Sequence, residues 1–542
     1  MKKIILILAL ITITFISCNK AKEKNSANVD SKVNYNDIFL NQKTITDFFK
    51  LNKENEVVTN QVLEFYKNRD YQFAWFNKTG MTHAVPNFYN RMQNYNADFD
   101  DATFKNPELD TLVSEIKTDK NDFKYQRKRI SNLEIMLTTT FFKYSKKVYG
   151  GIEKNPKNLD WFIPRKKKNY QVLLNDLIIT KDFTNTNEPV NVYYNRLKSK
   201  LKQYRFIQKN GGFAKIITSK KAINLNETDS CLVKVKQHLF QTNDLKKNDK
   251  SIIFNTDLQN AIINFQNRSG IEPSGILNSK TINELNISVD FRIKQMMVNL
   301  ERLRWMPENV EKNYLLVNIP EYKLHVFENA KPIWETNVVV GKEGKQTTIF
   351  RGNISKIILN PYWNVPTSII NKEILPALKR NRNYLTKNNM EVVAGGQVIN
   401  PKTINWNKYS KNIPYEIRQK PGKDNSLGKM KFLFPNSYSI YLHDTPAKDL
   451  FDRNKRDFSH GCIRVENPEK LAIYLLKNNP SWSQQSIDKV LVSSDETEIV
   501  VKPTIPVYIT YFTAWVDSKG NLNFRKDIYD LDDELAKEIF VE

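Results

Sequence analysis

A change of hydrophobic period at Pro307 constrains this chain more than any other feature of its 542 residues. Upstream, segments such as VVTNQVLEFYKNR and NLEIMLTTTFFKYSKKVY place apolar residues three and four apart, the spacing of one helical face. The last of them, FRIKQMMVNLERLRWMP, is stopped by Pro307, which has no N–H for the helix ladder. Downstream the apolar residues alternate. YLLVNIPEYKLHVFEN and KPIWETNVVVGKE read as strands joined at Asn329-Ala330, and KIILNPYWNVP as a strand ending in an aromatic turn. KEILPALKRNRNYL interrupts them with a helical pattern, and further strands are predicted in FLFPNSYSIYLHD and EIVVKPTIPVYITYFTAWVDSKGNLNFR. Helices first and strands later predict an α+β multidomain protein, with length for about three domains.

The helical part divides in two. Residues 34–229 form a predicted helical scaffold, interrupted by the aromatic stretch YKNRDYQFAWFNKTGMT, and offer no acid pair, metal spacing or glycine loop. His83 stands alone there and reads as structural. In residues 230–290, Leu258, Ile262, Ile263 and Phe265 give one apolar helical face, and Gly270 ends that helix. Ser274-Gly275 makes a turn, and Asn278 or Ser279 caps a short helix carrying Ile282 and Leu285. A connecting helix over 291–312 leads into the β-rich region, 313–525, and residues 526–542 remain as a C-terminal tail.

The address comes from the other end. MKK, an apolar run from Ile4 to Ile16 and then Ser17-Cys18-Asn19 describe an export signal; a membrane-spanning helix needs about 20 apolar residues. Residues 1–17 are read as signal peptide and 18–33, polar and charged, as a tether. Formal net charge is +24, from 83 Lys and Arg against 59 Asp and Glu. Such a charge favours anionic partners, and for an exported chain these are wall carboxylates or a membrane surface, not nucleic acid.

With Cys18 set aside at the start of the tether, Cys231 and Cys462 remain, 231 positions apart, and no disulfide framework is indicated. Cys231, in CLVKVKQHLF, reads as a buried small hydrophobe. Cys462 is different: FSHGCIRVEN sets it two positions after His460, and His443 closes the strand SYSIYLHD 19 residues earlier. A strand-end histidine and a cysteine in a glycine turn can meet in space, which is what thiol catalysis requires. A free thiol near pKa 8.5 is only about a few per cent ionised at neutral pH. An adjacent imidazole accepts its proton, giving a thiolate–imidazolium pair, and returns it to a leaving amine. Gly461 lets backbone approach substrate, and consecutive N–H groups around Cys462 are placed to face an oxyanion. Zinc ligation by His443, His460 and Cys462 competes, although H-x-C lacks the common ligand spacing and no fourth ligand is evident.

Two resemblances follow. Phe265-Gln266, Gly270-Ile271, Gly275 and Thr281-Leu285 resemble the small three-helix peptidoglycan-binding domain. His443 followed by Ser459-His460-Gly461-Cys462 resembles the signature of L,D-transpeptidases with the YkuD-type catalytic domain, a β-sandwich enzyme of peptidoglycan. IYLHDTPAKDLFDRNKRDFSHGCIRVENP is similar to the long YcbB-like branch of that family, as are NLERLRWMP, NPYWNVPTSI and RQKPGKDNSLGKMKFLFPN. Phe15-Ile16-Ser17-Cys18 resembles a lipoprotein signal that leaves Cys18 as a lipidated N-terminus; an ordinary secreted chain is the alternative.

The resemblance implies roles by position. Cys462 is the nucleophile, His443 its general base, and His460 a site-shaping neighbour. Asp444 orients the histidine through its carbonyl or its carboxylate, and Ser459 orders the turn. Arg464, Lys429 and Lys431 are candidates for a substrate carboxylate, Tyr362 and Trp363 for the cleft wall, and 366–431 for a partly helical lid. The implied reaction joins two peptidoglycan stems by a 3→3 cross-link through a thioester with loss of D-Ala, without metal or other cofactor. Attack by water would make a carboxypeptidase, attack by a protein amine an anchoring enzyme, and a dead site a wall-binding scaffold. The implied setting is the periplasm, with a lipid anchor in the outer membrane. Partners are stem peptides, glycan and other wall-synthesis proteins.

Overall fold

The computed structural model describes residues 37–118, 123–165, 167–180, 188–493 and 495–540. The predicted leader, Cys18 and the 18–33 tether lie outside the described residues. The chain folds as two compact units, one holding residues 37–86 and 106–142, the other 87–105 and everything from 143 onward.

In the first unit the aromatic break is a docking element. After helix Glu56–Lys67 the chain turns through Asp70 and Tyr71, both at positive φ, into a two-stranded hairpin at Phe76–Asn77 and Gly80–Met81. Phe73, Trp75 and Phe76 are fully covered. The Glu134 carboxylate, also buried, accepts from Tyr66 Oη (2.8 Å), Ala74 N and Trp75 N (3.0 Å). Burial pushes that carboxyl up to about 7 against the pull of those donors.

In the second unit, helices Leu232–Gln241, Thr256–Arg268 and Ser279–Leu285 share one core with Cys231 inside it. Gln266 explains the spacing of the motif. Its Nε2 donates to Ile276 O (3.0 Å) and Thr281 Oγ1 (2.9 Å), while its Oε1 accepts from Gly275 N (2.9 Å). Gly275 has φ +69°, and a Cβ there would crowd Ile263 at 3.2 Å. A buried side-chain amide is tolerated when its donors and acceptors are satisfied.

The predicted connector is the central helix of this unit, Val289–Trp305, buried nearly all round. Its buried charged residues are paired: Arg304 with Glu301 at 2.6 Å, Arg302 with Asp532 and Arg292 with Glu284. Asn299 exchanges two hydrogen bonds with Thr513. The expected C-terminal tail is likewise a packed element. Helix Leu531–Ile539 buries Leu535 and Ala536, and Asp532 supplies the partner of Arg302 because an isolated buried guanidinium would be costly.

Nine strands form the large sheet: β1 Tyr314–Asn318, β2 Lys323–Glu328, β3 Lys331–Gly341, β4 Arg351–Leu359, β5 Met430–Leu433, β6 Leu442–His443, β7 Asp457–Ser459, β8 Ile463–Val465 and β9 Thr497–Thr510. Their order is β7-β3-β8-β6-β5-β4-β9-β1-β2. β3 also pairs with β2 through its first half, and with β8 through Val338 and Val339. The sheet is therefore rolled closed through β3. Inward residues such as Leu315, Leu324, Val338, Ile357, Leu442 and Val507 have no exposed surface.

Between β4 and β5 an insertion builds its own four-stranded sheet, from Trp363–Asn364, Met390–Ala394, Gln397–Ile399 and Glu416–Gln419, beside short helices Leu375–Arg380 and Tyr384–Lys387. It has a core of its own around Ile374, Leu378, Val392, Trp406 and Ile417.

Candidate active site

Three adjacent strands bring the chemistry together. β5 runs antiparallel and β8 parallel to β6, and the registers set Lys431, His443 and Arg464 side by side. Directly paired residues share a sheet face, so an imidazole stands between an ammonium and a guanidinium. Tyr441, two residues before His443 and hence on the same side, has its ring 5.7 Å from the imidazole and 4.1 Å from Lys431 Nζ.

His443 is buried, and its Nδ1 lies 2.5 Å from the main-chain oxygen of Asp444. A carbonyl only accepts, so Nδ1 carries the proton and Nε2 keeps its lone pair. The Asp444 carboxylate turns away, accepting from Lys429 N (2.8 Å) and Lys448 Nζ (2.6 Å). Gly428, at φ +59°, leaves room for it, since a Cβ there would lie 2.3 Å from Asp444 Oδ2.

The turn carrying Cys462 is closed by Ser459. Its Oγ donates to Cys462 O (2.5 Å) and accepts from Gly461 N (3.1 Å), while Gly461 sits at φ +115°, a region that favours glycine. Thr347 Oγ1 holds Gly461 O at 2.8 Å from the outside. The predicted run of free amides is reduced. Gly461 N–H is used by Ser459 and Ile463 N–H by Tyr441 O, whereas Cys462 N–H has no acceptor among the described residues. The Cys462 thiol donates to Ser439 O at 3.6 Å, and no hydrogen bond joins it to His443 among the described residues. Ser439 has φ +56°, and its loop is held by Asn436, which bonds Phe434 O and Ile440 O through its amide nitrogen and Tyr438 N and Ile440 N through its oxygen.

The electrostatics favour neutral partners over a thiolate–imidazolium pair. Burial, then the Arg464 and Lys431 charges, lower His443 to about 3 against the support of Asp444. Burial raises the Cys462 thiol, opposed by hydrogen bonding from Tyr441 and by Lys431 and Arg464. Thiol and imidazole are therefore both neutral at rest. Two cations flank the imidazole and leave little reason for a third. Neither Lys431 nor Arg464 makes an ion pair among the described residues, and Arg464 Nε is buried without a hydrogen-bond partner.

The other predicted residues lie further out. His460 is exposed, and its Nε2 is 3.2 Å from Glu373 Oε1 in the insertion. Lys429 is exposed and borders a cleft with Asp444 and Lys448. Trp363 packs on the core of the insertion, and Tyr362 lies under the Arg418 guanidinium at 4.4 Å. Tyr441 and Asn436 were not foreseen. The alternation in SYSIYLHD already sets Tyr441 on the His443 face, while nothing local marks Asn436. Among the described residues no group of three or more His, Cys, Asp or Glu is arranged to hold a metal ion.

Residues 312–494 match the YkuD family model, the L,D-transpeptidase catalytic domain, and residues 60–201 match the model of a scaffold domain. The chain thus carries a YkuD L,D-transpeptidase catalytic domain and a separate scaffold domain. A curated protein of Haemophilus influenzae named putative L,D-transpeptidase is 37% identical over 243 residues, 45% of this chain and 49% of that protein. The match therefore spans about half of that relative's length. Among solved structures, an L,D-transpeptidase (Yku) from Stackebrandtia nassauensis aligns at 12% identity and TM-score 0.23, over 54% of this chain and 97% of that one. L,D-transpeptidase 1 of Mycobacterium tuberculosis aligns at 12% identity and TM-score 0.15, over 37% of this chain and 61% of that one. At such scores these structures add nothing to the sequence matches.

Proposed function

We propose that this chain is a cysteine L,D-transpeptidase that forms 3→3 cross-links in peptidoglycan, with Cys462 as nucleophile and His443 as its base. The observation that carries the reading is the single cluster of a thiol, an imidazole with its acceptor nitrogen fixed by the Asp444 carbonyl, and an unpaired Arg464 in register with it.

In the first half-reaction Sγ attacks the carbonyl carbon of the third stem residue as its proton passes to His443 Nε2. Attack and transfer are coupled, because neither thiolate nor imidazolium is favoured at rest. Cys462 N–H donates to the oxyanion. The C–N bond to D-Ala breaks, a thioester remains, and His443 gives its proton to the leaving amine; its low pKa makes it a ready donor. An acceptor amine then attacks the thioester, losing its proton to His443, and the thiol is regenerated. Arg464 and Lys431, which make no ion pair among the described residues, hold donor carboxylate by charge-assisted bonds. The insertion acts as a lid, tied to the Cys462 turn by His460 and Glu373, and excluding water favours amine attack over hydrolysis. No step calls for a metal or nucleotide.

The three-helix unit is read as a peptidoglycan-binding domain. The chain is read as a periplasmic lipoprotein anchored through Cys18 in the outer membrane, beside other wall-synthesis proteins. No helix among the described residues is long and apolar enough to cross a membrane. Purified protein incubated with disaccharide-tetrapeptide decides the activity by mass spectrometry. The expected product is a dimer lighter than two substrates by one D-Ala; tripeptide alone means a carboxypeptidase, and unchanged substrate with no adduct on Cys462 removes the proposal.

A further inference from the structure

Residues 155–163 take no part in the chemistry described above, yet they end against the loop that receives the Cys462 thiol. They lie among the residues that match the scaffold model and in the same compact unit as the large sheet. Asn155 caps a short turn at Pro156–Leu159, and Asp160, at φ +56°, redirects the chain so that Trp161 pairs with Ile349 just ahead of β4. Phe162 N donates to Ile349 O at 2.9 Å. Trp161 is buried, its ring 5.7 Å from Trp305 and 5.8 Å from Phe512, which fixes the segment in place.

Ile349 stands between two supports of the nucleophile. Two residues before it, Thr347 Oγ1 donates to Gly461 O at 2.8 Å. One residue after it, the Phe350 ring lies 4.9 Å from the ring of Tyr438. Phe162 packs on that same Tyr438 ring at 5.4 Å. Both separations fall in the favourable range for aromatic pairs, about 4.5–7 Å. Tyr438 is otherwise exposed, and the next residue, Ser439, accepts from Cys462 Sγ through its carbonyl. Ser439 holds φ +56°, an uncommon conformation for a residue with a side chain, which persists where the surroundings enforce it. Asn436 enforces it from within the loop. Phe162 and Phe350 do so from outside.

We propose that Phe162 is a positioning residue of the active site: by clamping Tyr438 against Phe350 it sets the Ser439 carbonyl, and with it the Cys462 thiol, for attack. The region matched to the scaffold model thus supplies part of what the catalytic domain needs to aim its nucleophile. A thiol that donates to a carbonyl is held in its neutral form and in one direction. With the clamp gone, Ser439 O moves away, and the thiol turns toward solvent and ionises more readily. It then meets the donor carbonyl less often. Reactivity toward a small reagent and acylation by donor therefore change in opposite senses, which a general loss of folded protein cannot produce. The acylation rests on the transpeptidase reading; the alkylation rests on the thiol alone.

The test uses the full chain. Phe162→Ala and Tyr438→Ala are each expected to slow single-turnover acylation by disaccharide-tetrapeptide about three- to tenfold, the worth of one aromatic pair. The double variant is expected to lose no more than Tyr438→Ala alone, because the two rings act as one contact. The pH profile of Cys462 alkylation by iodoacetamide is expected to move to lower pH in all three, and Phe162→Tyr to keep the wild-type rate and profile. Should Phe162→Ala melt below the assay temperature, Phe162→Leu, which keeps apolar bulk without the ring, is read in its place. An unchanged rate and profile, additive losses in the double variant, or slower acylation with a wild-type alkylation profile overturns the proposal and leaves Phe162 a packing residue. Wild-type protein that is alkylated at Cys462 yet never acylated would end the transpeptidase reading instead, and the alkylation profiles would still decide this one.

Discussion

His443 Nδ1 is 2.5 Å from the carbonyl oxygen of Asp444, the next residue in the chain. The histidine is oriented by main chain, not by the carboxylate beside it. Asp444→Asn, which keeps that carbonyl, should therefore lose far less activity than His443→Gln. Removal of the base should cost on the order of 10²–10⁴ in rate. Single-turnover acylation of the two variants separates them, and equal losses would return the role to the Asp444 side chain.

The resting state should be neutral. Cys462 is raised and His443 lowered, so alkylation by iodoacetamide should rise with pH through a single titration above about 8.5, the ordinary thiol value. Lys431→Met and Arg464→Gln each remove a cation that favours the thiolate, and should move that titration higher still. A pH-independent plateau reaching down through neutrality would show a preformed ion pair.

Asn436 should act on Cys462 without touching it. Its four main-chain hydrogen bonds hold the Ser439 loop, whose carbonyl takes the thiol proton contact. Asn436→Ala should lower acylation about tenfold, a barrier change of about 1.4 kcal/mol, and shift the alkylation pH profile. A variant that loses only thermal stability and keeps the wild-type profile would make Asn436 merely structural.

The Glu321–His325–Glu335 cluster should make stability depend on pH. Burial disfavours the His325 charge, but Glu321 and then Glu335 overcome it and raise the pKa to about 10 from 6.5. The contribution is complete below the unfolded value, near 6.5, and is lost as pH rises toward about 10. His325→Gln should cost on the order of 3 kcal/mol near pH 6, and the gap in denaturant midpoint from wild type should close on moving to pH 10. A constant gap would remove the ion cluster as the cause.

Cys231→Ser should leave acylation near wild type, because Cys231 is packed inside the three-helix core and its thiol is raised to about 12. Cys462→Ser and Cys462→Ala should abolish it with the fold retained. Intact-mass measurement after incubation with donor reads both, and an adduct on Cys231 would contradict the assignment.

Much of this was legible locally. The switch of period at Pro307 marks the passage from helices to sheet because helical and extended side chains repeat at different intervals. Gln266, Gly275 and Thr281 are spaced as they are because one buried amide serves the other two. Scarce His443 and Cys462 already stand out as candidates for a thiol chemistry. What stayed hidden depends on residues distant in sequence. The connector was read by its sequence neighbours, yet Val289–Trp305 is the centre of its unit because Asp532 and Thr513 return to satisfy it. Lys431 and Arg464 are ordinary basic residues until β5, β6 and β8 align them with His443.

By itself, then, the sequence determined which side chains are the candidates for the chemistry and which period each segment follows, since those are properties of residue type and spacing. Only the tertiary structure decided the buried, cation-flanked surroundings of the pair and the use of the Asp444 carbonyl. Burial and the sum of surrounding charges set a pKa. Both arise from strand register and packing between segments hundreds of residues apart, which no local pattern encodes.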